Sequence, residues 1–217
     1  MQKIAALTLA LSLLSPAVAH AQTAASAPAS AIAPSSTATN TQAMNMVKDF
    51  YAQLTNTMKQ GEQLGYNGRF KKLQPVIEAS FNLPYMTRSA VGLVWTKATP
   101  EQQAQLVSAF SDFSVASYAN QFAKDDGETF AVVDQKPIDG GVIVETTLTP
   151  KTGTPIALNY LMRPDDKGNY RIVDIFLDGS ISQMAARRSE FSSIANRDGI
   201  AALVNSLGEK SKQMGPS

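Results

Sequence analysis

The stretch Gly168 to Phe191, GNYRIVDIFLDGSISQMAARRSEF, constrains this chain more than any other. It reads as a strand that passes directly into a helix. Strict alternation puts Tyr170, Ile172 and Phe176 on one face of the strand and Val173, Ile175 and Leu177 on the other. A strand that is apolar on both faces is ordinarily central and covered on both sides. Gly179 lets the backbone turn, and Ile181, Met184, Ala185, Arg188 and Phe191 then follow helical spacing. A sheet must therefore hand over to a helix packed on it, and the remaining segments have to fit around that corner.

The segments before this corner change period once. Met44, Val47, Tyr51, Leu54 and Met58 step by three and four, predicting an amphipathic helix from Thr41 to about Gln60, ended by Gly61 and Gly65. A second helix is expected from Asn67 to Ser80, kinked or broken at Pro75. A third, short helical segment follows Pro84 and carries Met86, Val91, Val94 and Trp95. Thr99, Pro100, Glu101 and Gln102 form a capping box with proline at the first helical position, starting a helix to about Ala123.

From Phe130 onward the period is two. Phe130–Gln135, Val142–Leu148, Ile156–Met162 and Tyr170–Leu177 read as four strands, and the short Gly- and Asp-rich turns between them imply antiparallel pairing. Ser180–Asn196 and the segment after Asp198-Gly199 read as two closing helices. The expected fold is α+β: N-terminal helices, a four-stranded curved antiparallel sheet, and C-terminal helices.

The first residues read as an export signal rather than as fold. Lys3, the apolar run Ile4–Leu14, Pro16 and the Ala19-His20-Ala21 site predict cleavage after Ala21 and a periplasmic location. No Cys follows to take a lipid anchor, and no later run is long enough to span a bilayer. Residues 22–42, nearly all Ala, Ser, Thr and Pro, are expected to be a disordered linker, leaving 43–214 as the folded domain.

The single His lies in the signal and the chain has no Cys. That removes thiol nucleophiles, His-based triads and nearly all zinc, copper and haem sites. No metal or cofactor is expected. The charges are balanced with no basic block, which argues against nucleic acid and against simple electrostatic docking on an anionic membrane.

Four places resemble one family: Phe81-Asn82-Leu83-Pro84-Tyr85-Met86 leading to Gly92 and Trp95; Thr99-Pro100-Glu101-Gln102 leading to Phe110 and Tyr118; Tyr170-Arg171-Ile172-Val173-Asp174-Ile175; and Arg188-Ser189-Glu190-Phe191 before Arg197-Asp198-Gly199-Ile200. Across Met44–Leu207 the chain resembles the MlaC, or toluene-tolerance, family: the periplasmic component of the Mla phospholipid-transport system. The Leu177-Asp178-Gly179-Ser180 corner and the doubled Arg187-Arg188 resemble its hopanoid-biosynthesis-associated branch, HpnM-like in form.

The resemblance implies a monomeric, non-catalytic carrier of phospholipid or hopanoid-type lipid as cargo. It would exchange that cargo with an inner-membrane ABC transporter of MCE type and an outer-membrane lipoprotein–porin complex. Each methylene exposed to water costs about 0.8 kcal/mol, so a two-chain lipid crossing water unaided faces a penalty on the order of 20 kcal/mol. A carrier replaces that contact with an apolar wall.

On this reading the hydrophobic cavity is lined by a subset of Met86, Val94, Trp95, Phe110, Phe113, Tyr118, Val144, Leu148, Leu158, Tyr160, Met162, Ile172 and Met184. Without the resemblance, each taken singly reads as plain core, and Trp95 stays open between cavity wall and core anchor. Asp174, Asp178 and Arg188 are expected to form a polar clasp between strand and helix. Two other readings remain: a non-catalytic envelope adaptor, and an isomerase or dehydratase on a cone-shaped fold with Asp112, Glu145 or Asp174 as base beside Tyr118 or Tyr160.

Overall fold

The computed structural model describes residues 36–215; the expected signal and most of the expected linker lie outside them. Helix α1 (Ser36–Lys59) starts inside the segment expected to be unstructured. Its register is set further on, where Val47, Phe50, Tyr51, Leu54 and Met58 are buried. Once such a helix is nucleated, each further residue gains a hydrogen bond for one more fixed backbone pair, so it propagates back into the polar stretch.

Helix α2 (Gly61–Ser80) breaks at Gly65, whose φ of 59° is outside the helical range, while the backbone stays helical through Pro75. The break therefore falls at the glycine rather than at the proline. Gly61 allows a close approach: a Cβ there would lie 2.0 Å from the carbonyl oxygen of Ala123. Buried Arg69 spans the same junction, donating from Nε to the Ala119 carbonyl and from Nη1 to the Gly61 carbonyl, each at 2.8 Å.

Helix α3 (Leu83–Val91) is capped by the Asn82 side chain, which accepts from the Tyr85 N–H, and it ends at Gly92. The expected continuation to Trp95 is instead a 3-10 turn, Gly92–Lys97. Gly92 sits at φ 69°, which ends the α-helix. Helix α4 (Pro100–Gln121) carries the full Thr99–Gln102 capping box.

The sheet runs in the order β1 (Thr129–Ile138), β2 (Gly141–Thr149), β3 (Ile156–Pro164), β4 (Tyr170–Leu177), β5 (Ile181–Ser182), all antiparallel. A fifth, two-residue strand thus occupies positions expected to be helical, and helix α5 begins only at Gln183 (Gln183–Asp198). Asp178 and Gly179 both have positive φ, and the Ser180 N–H returns to the Leu177 carbonyl at 3.2 Å, as in the tight primed hairpin turn. Helix α6 (Ile200–Gln213) packs against α4 and α5.

Strand β4 is not central. Its free edge is closed by β5 and by Phe81, which bridges Ile172 and is followed by an Asn82 N–H to Ile172 carbonyl bond of 2.9 Å. Strict alternation also fails within it. Ile172 pairs with Met162 and Asp174 with Leu161, so Val173 is the extra residue of a bulge. The bulge inverts parity, bringing Ile172, Ile175 and Leu177 onto the same core face opposite Met162, Tyr160 and Leu158. A second bulge at Val133 bends the edge strand β1, where Asp134, Lys136 and Pro137 also discourage pairing with another chain.

Candidate functional site

An apolar seam lies between the helices and the core face of the sheet. Leu54 of α1, Tyr118, Gln121 and Phe122 at the end of α4, Phe130 of β1, Leu148 of β2, Leu158 and Tyr160 of β3, and Ile175 and Leu177 of β4 line it. Its closed interior holds a cavity of about 20 Å³, roughly the space of one water molecule. On the solvent side of the seam, a groove of about 440 Å³ runs between α1 and β1, with Tyr51, Phe130 and Val132 inside it and Lys48 and Lys59 at its rim. The Tyr51 and Phe130 rings stack at 4.8 Å between centroids, and Phe130 lines both groove and seam.

Behind this pair the aromatic side chains form one layer. Phe50 meets Phe81, Tyr118 and Tyr160 edge-on at 5.6, 5.7 and 6.3 Å, and Tyr118 stacks on Phe122 at 5.4 Å. Such contacts add about 0.5–1.5 kcal/mol per pair beyond burial. Burial holds the phenols neutral: Tyr51 is pushed up to about 12, and Tyr118 and Tyr160 are also raised.

The polar atoms here are satisfied locally. Between β2 and β3, pairing is interrupted between Val144↔Tyr160 and Thr147↔Ala157. In that gap Thr146 donates its hydroxyl to the Leu158 carbonyl, and its N–H donates to Asn159 Oδ1 at 3.3 Å. Tyr51 reaches down from α1 to Thr146 Oγ1 at 2.7 Å.

Of the residues expected to line a cavity, Tyr118, Leu148, Leu158 and Tyr160 do line the seam. Val144, Met162 and Ile172 lie on the same sheet face, fully buried beyond it. Met86, Phe110, Phe113 and Met184 are buried in the same core. There Phe191 takes the edges of Phe110 and Phe113 at 6.1 and 6.2 Å. Val94 and Trp95 are half-buried on the 3-10 turn.

Leu54, Phe122 and Phe130 were not expected at the seam. Leu54 and Phe130 carried a signal, since both fall on apolar stripes. That Ile175 and Leu177 share the face of Ile172 could not be read without knowing of the bulge at Val173.

The polar clasp differs from expectation. Asp174 accepts from Ser182 Oγ at 2.6 Å, from the Met184 N–H at 3.0 Å and from the Ile175 N–H at 2.7 Å. It thereby caps α5 together with Ser182, whose own hydroxyl accepts from the Ala185 N–H at 2.9 Å. Asp178 serves the positive-φ turn instead. Arg188 runs out over Gly92 into solvent, its Nε and Nη2 each 3.7 Å from where a Gly92 Cβ would be. Its neighbour Arg187 is the inward one, 4.8 Å above the Phe113 ring, and burial lowers its pKa against the opposing pull of Glu190.

The carboxylates considered as bases do not converge. Asp112 is exposed on α4, where partial desolvation and then Glu78 raise its pKa. Glu145 pairs with Lys136 at 2.5 Å, and Asp174 is occupied as a cap. Among the described residues, no group of His, Cys, Asp or Glu is placed to hold a metal, and no helix is long and apolar enough to cross a membrane.

The chain matches the family described as MlaC protein over residues 48–209. It belongs to the MlaC family. The matched span runs from the middle of α1 to α6, so the seam and both of its walls lie within the MlaC region. Among solved structures the chain is similar to a phospholipid-binding protein from Ralstonia solanacearum, determined in complex with a phospholipid. The two are 26% identical with a TM-score of 0.69, over 80% of this chain and 98% of that one. No curated protein matches the chain by sequence.

Proposed function

We propose that this MlaC-family chain is a periplasmic lipid carrier, which takes acyl chains into the seam between helices and sheet and performs no chemistry on them. The observation that carries this reading is the wall itself: Leu54, Phe122, Phe130, Leu148, Leu158, Ile175 and Leu177 face one another with only neutral phenols and Gln121 among them. The similar protein from Ralstonia solanacearum, which binds a phospholipid, supports the same use of the fold.

An acyl chain displaces many times the volume of one water, so loading requires the helices and the sheet to part. The stacked Tyr51–Phe130 pair is the natural place for that opening, because Tyr51 lines the outer groove and Phe130 lines both the groove and the seam. The chains enter past these rings. A phosphate-bearing head group stays in the groove, within reach of Lys48 and Lys59. Cargo is phospholipid or a hopanoid-type lipid. A monomer passes it between an inner-membrane transporter of MCE type and an outer-membrane lipoprotein–porin complex.

The test is native mass spectrometry of the purified protein, followed by solvent extraction and incubation with phospholipid vesicles. Co-purifying or acquired lipid at about one per chain is expected. Protein that carries no lipid and removes none from vesicles rules the carrier reading out.

A further inference from the structure

A second feature lies on another part of the surface. Where α3 gives way to the 3-10 turn, Tyr85, Arg88, Ser89, Gly92 and Arg188 enclose a notch of about 230 Å³. Both arginines are exposed, and neither guanidinium has an ion-pair or hydrogen-bond partner among the described residues. Arg88 rests 5.5 Å above the Tyr85 ring, and Arg188 lies over Gly92. Directly after Gly92, Leu93 is 82% exposed, the most exposed large apolar side chain described. Trp95 is half-buried two residues on, and the turn ends in exposed Lys97.

An exposed leucine on a short 3-10 turn, a half-buried indole beside it and unpaired cations around it match the chemistry of a membrane interface. There apolar tips enter the acyl boundary, indole rings sit at head-group level, and guanidiniums bind lipid phosphates bidentately. We infer that this face, with Leu93 at its tip and Arg88 and Arg188 at its notch, docks on the surface of a membrane containing anionic phospholipid. The chain as a whole carries almost no net charge, so the attraction comes from cations that folding gathers here. The inference does not rest on the carrier reading, since an adaptor without cargo would dock in the same way.

Trp95 is the only tryptophan, so it reports this face alone. The experiment sediments the purified protein with vesicles of phosphatidylcholine plus phosphatidylglycerol, and with pure phosphatidylcholine vesicles, while following Trp95 emission and its quenching by brominated lipid. Protein should pellet with the anionic vesicles, with a blue shift and quenching, and much less with the neutral ones. The Arg88→Ala/Arg188→Ala variant should lose roughly thirtyfold in vesicle affinity, from two cations at the surface. Raising salt to about 1 M should weaken binding similarly, as the screening length falls to about 3 Å. Leu93→Ser should keep charge-dependent pelleting but lose quenching.

Equal binding to neutral and anionic vesicles overturns the inference, as does wild-type pelleting by the folded double variant. A Trp95 response to glycerol 3-phosphate without pelleting also overturns it, assigning the notch to a free phosphate. If the alanine pair does not fold, unchanged quenching in Leu93→Ser decides against docking. Lipid found with protein in the supernatant reports uptake instead, so the carrier reading is scored separately from docking.

Discussion

The hydroxyl of Tyr51 lies 2.7 Å from Thr146 Oγ1, joining the first helix to the second strand across the width of the core. The Thr146 proton is already committed to the Leu158 carbonyl, so Tyr51 is the donor. This bond fastens α1 to the sheet at the point where the β2–β3 ladder is interrupted, beside the seam that would have to open.

Thr146→Val should cost about 1–3 kcal/mol, because it strands the Leu158 carbonyl and the Tyr51 hydroxyl together. Tyr51→Phe removes the donor to Thr146 and the hydroxyl that faces Tyr160, and should cost about 0.5–1.5 kcal/mol. Urea denaturation of both single variants and the double variant should show a coupling above about 0.5 kcal/mol. Strict additivity would show that the bond holds nothing together.

Alkaline pH should loosen the same region. Tyr51 has its pKa pushed up to about 12 by burial, and Tyr118 and Tyr160 are also raised by burial. A raised folded pKa means the stabilising contribution is complete below the unfolded value of about 10 and is lost as pH climbs through the folded value. Melting temperature should therefore fall between about pH 10 and 12, with tyrosinate absorbance from the buried rings appearing only as the fold is lost. Tyr118→Phe should flatten that fall.

Asp174→Ala should destabilise the protein by about 2–4 kcal/mol, because it removes a charged acceptor from the first turn of α5 and from the Ser182 hydroxyl. Asp178→Asn should cost under about 0.5 kcal/mol, since Asn also tolerates positive φ. Thermal melts of the pair separate a cap from a turn residue; equal losses would argue against this division.

Leu158→Trp adds volume to a seam with little free space and should cost about 1–3 kcal/mol in stability. Its larger effect should be on lipid: stoichiometry in native mass spectra should fall well below that of the parent. Met86→Leu, in the core away from the seam, should leave stoichiometry unchanged.

Arg69→Lys should behave as a damaging substitution, losing about 2–3 kcal/mol, because a lysine does not supply the fork that reaches the Ala119 and Gly61 carbonyls together. For a chain of this size that corresponds to a melting point lower by roughly 4–12 °C. A wild-type melt would remove Arg69 from the α2–α4 junction.

Much of the fold is legible in short windows. Thr99-Pro100-Glu101-Gln102 announces its helix, and the capping box forms as expected. The helical stripe Val47, Tyr51, Leu54 and Met58 is buried as a unit. The antiparallel meander follows from turns too short for any other connection. These features depend on neighbours within a few residues, so periodicity carries them.

The seam is less legible, because its walls come from six separate elements. Nothing local marks Val173 as an extra residue, yet its bulge moves Ile175 and Leu177 onto the face of Ile172 and builds the inner wall. The corner from Gly168 to Phe191 shows the division most clearly. Its residue pattern alone determines that a strand turns at Asp178-Gly179 and runs into a helix. Packing decided that Ser182 pairs in the sheet before that helix begins, that Asp174 caps it, and that Arg187 turns inward while Arg188 runs out over Gly92 beside Arg88. Turn and period are properties of adjacent backbone; which side chains meet depends on contacts between segments distant in sequence, and those exist only once the chain has folded.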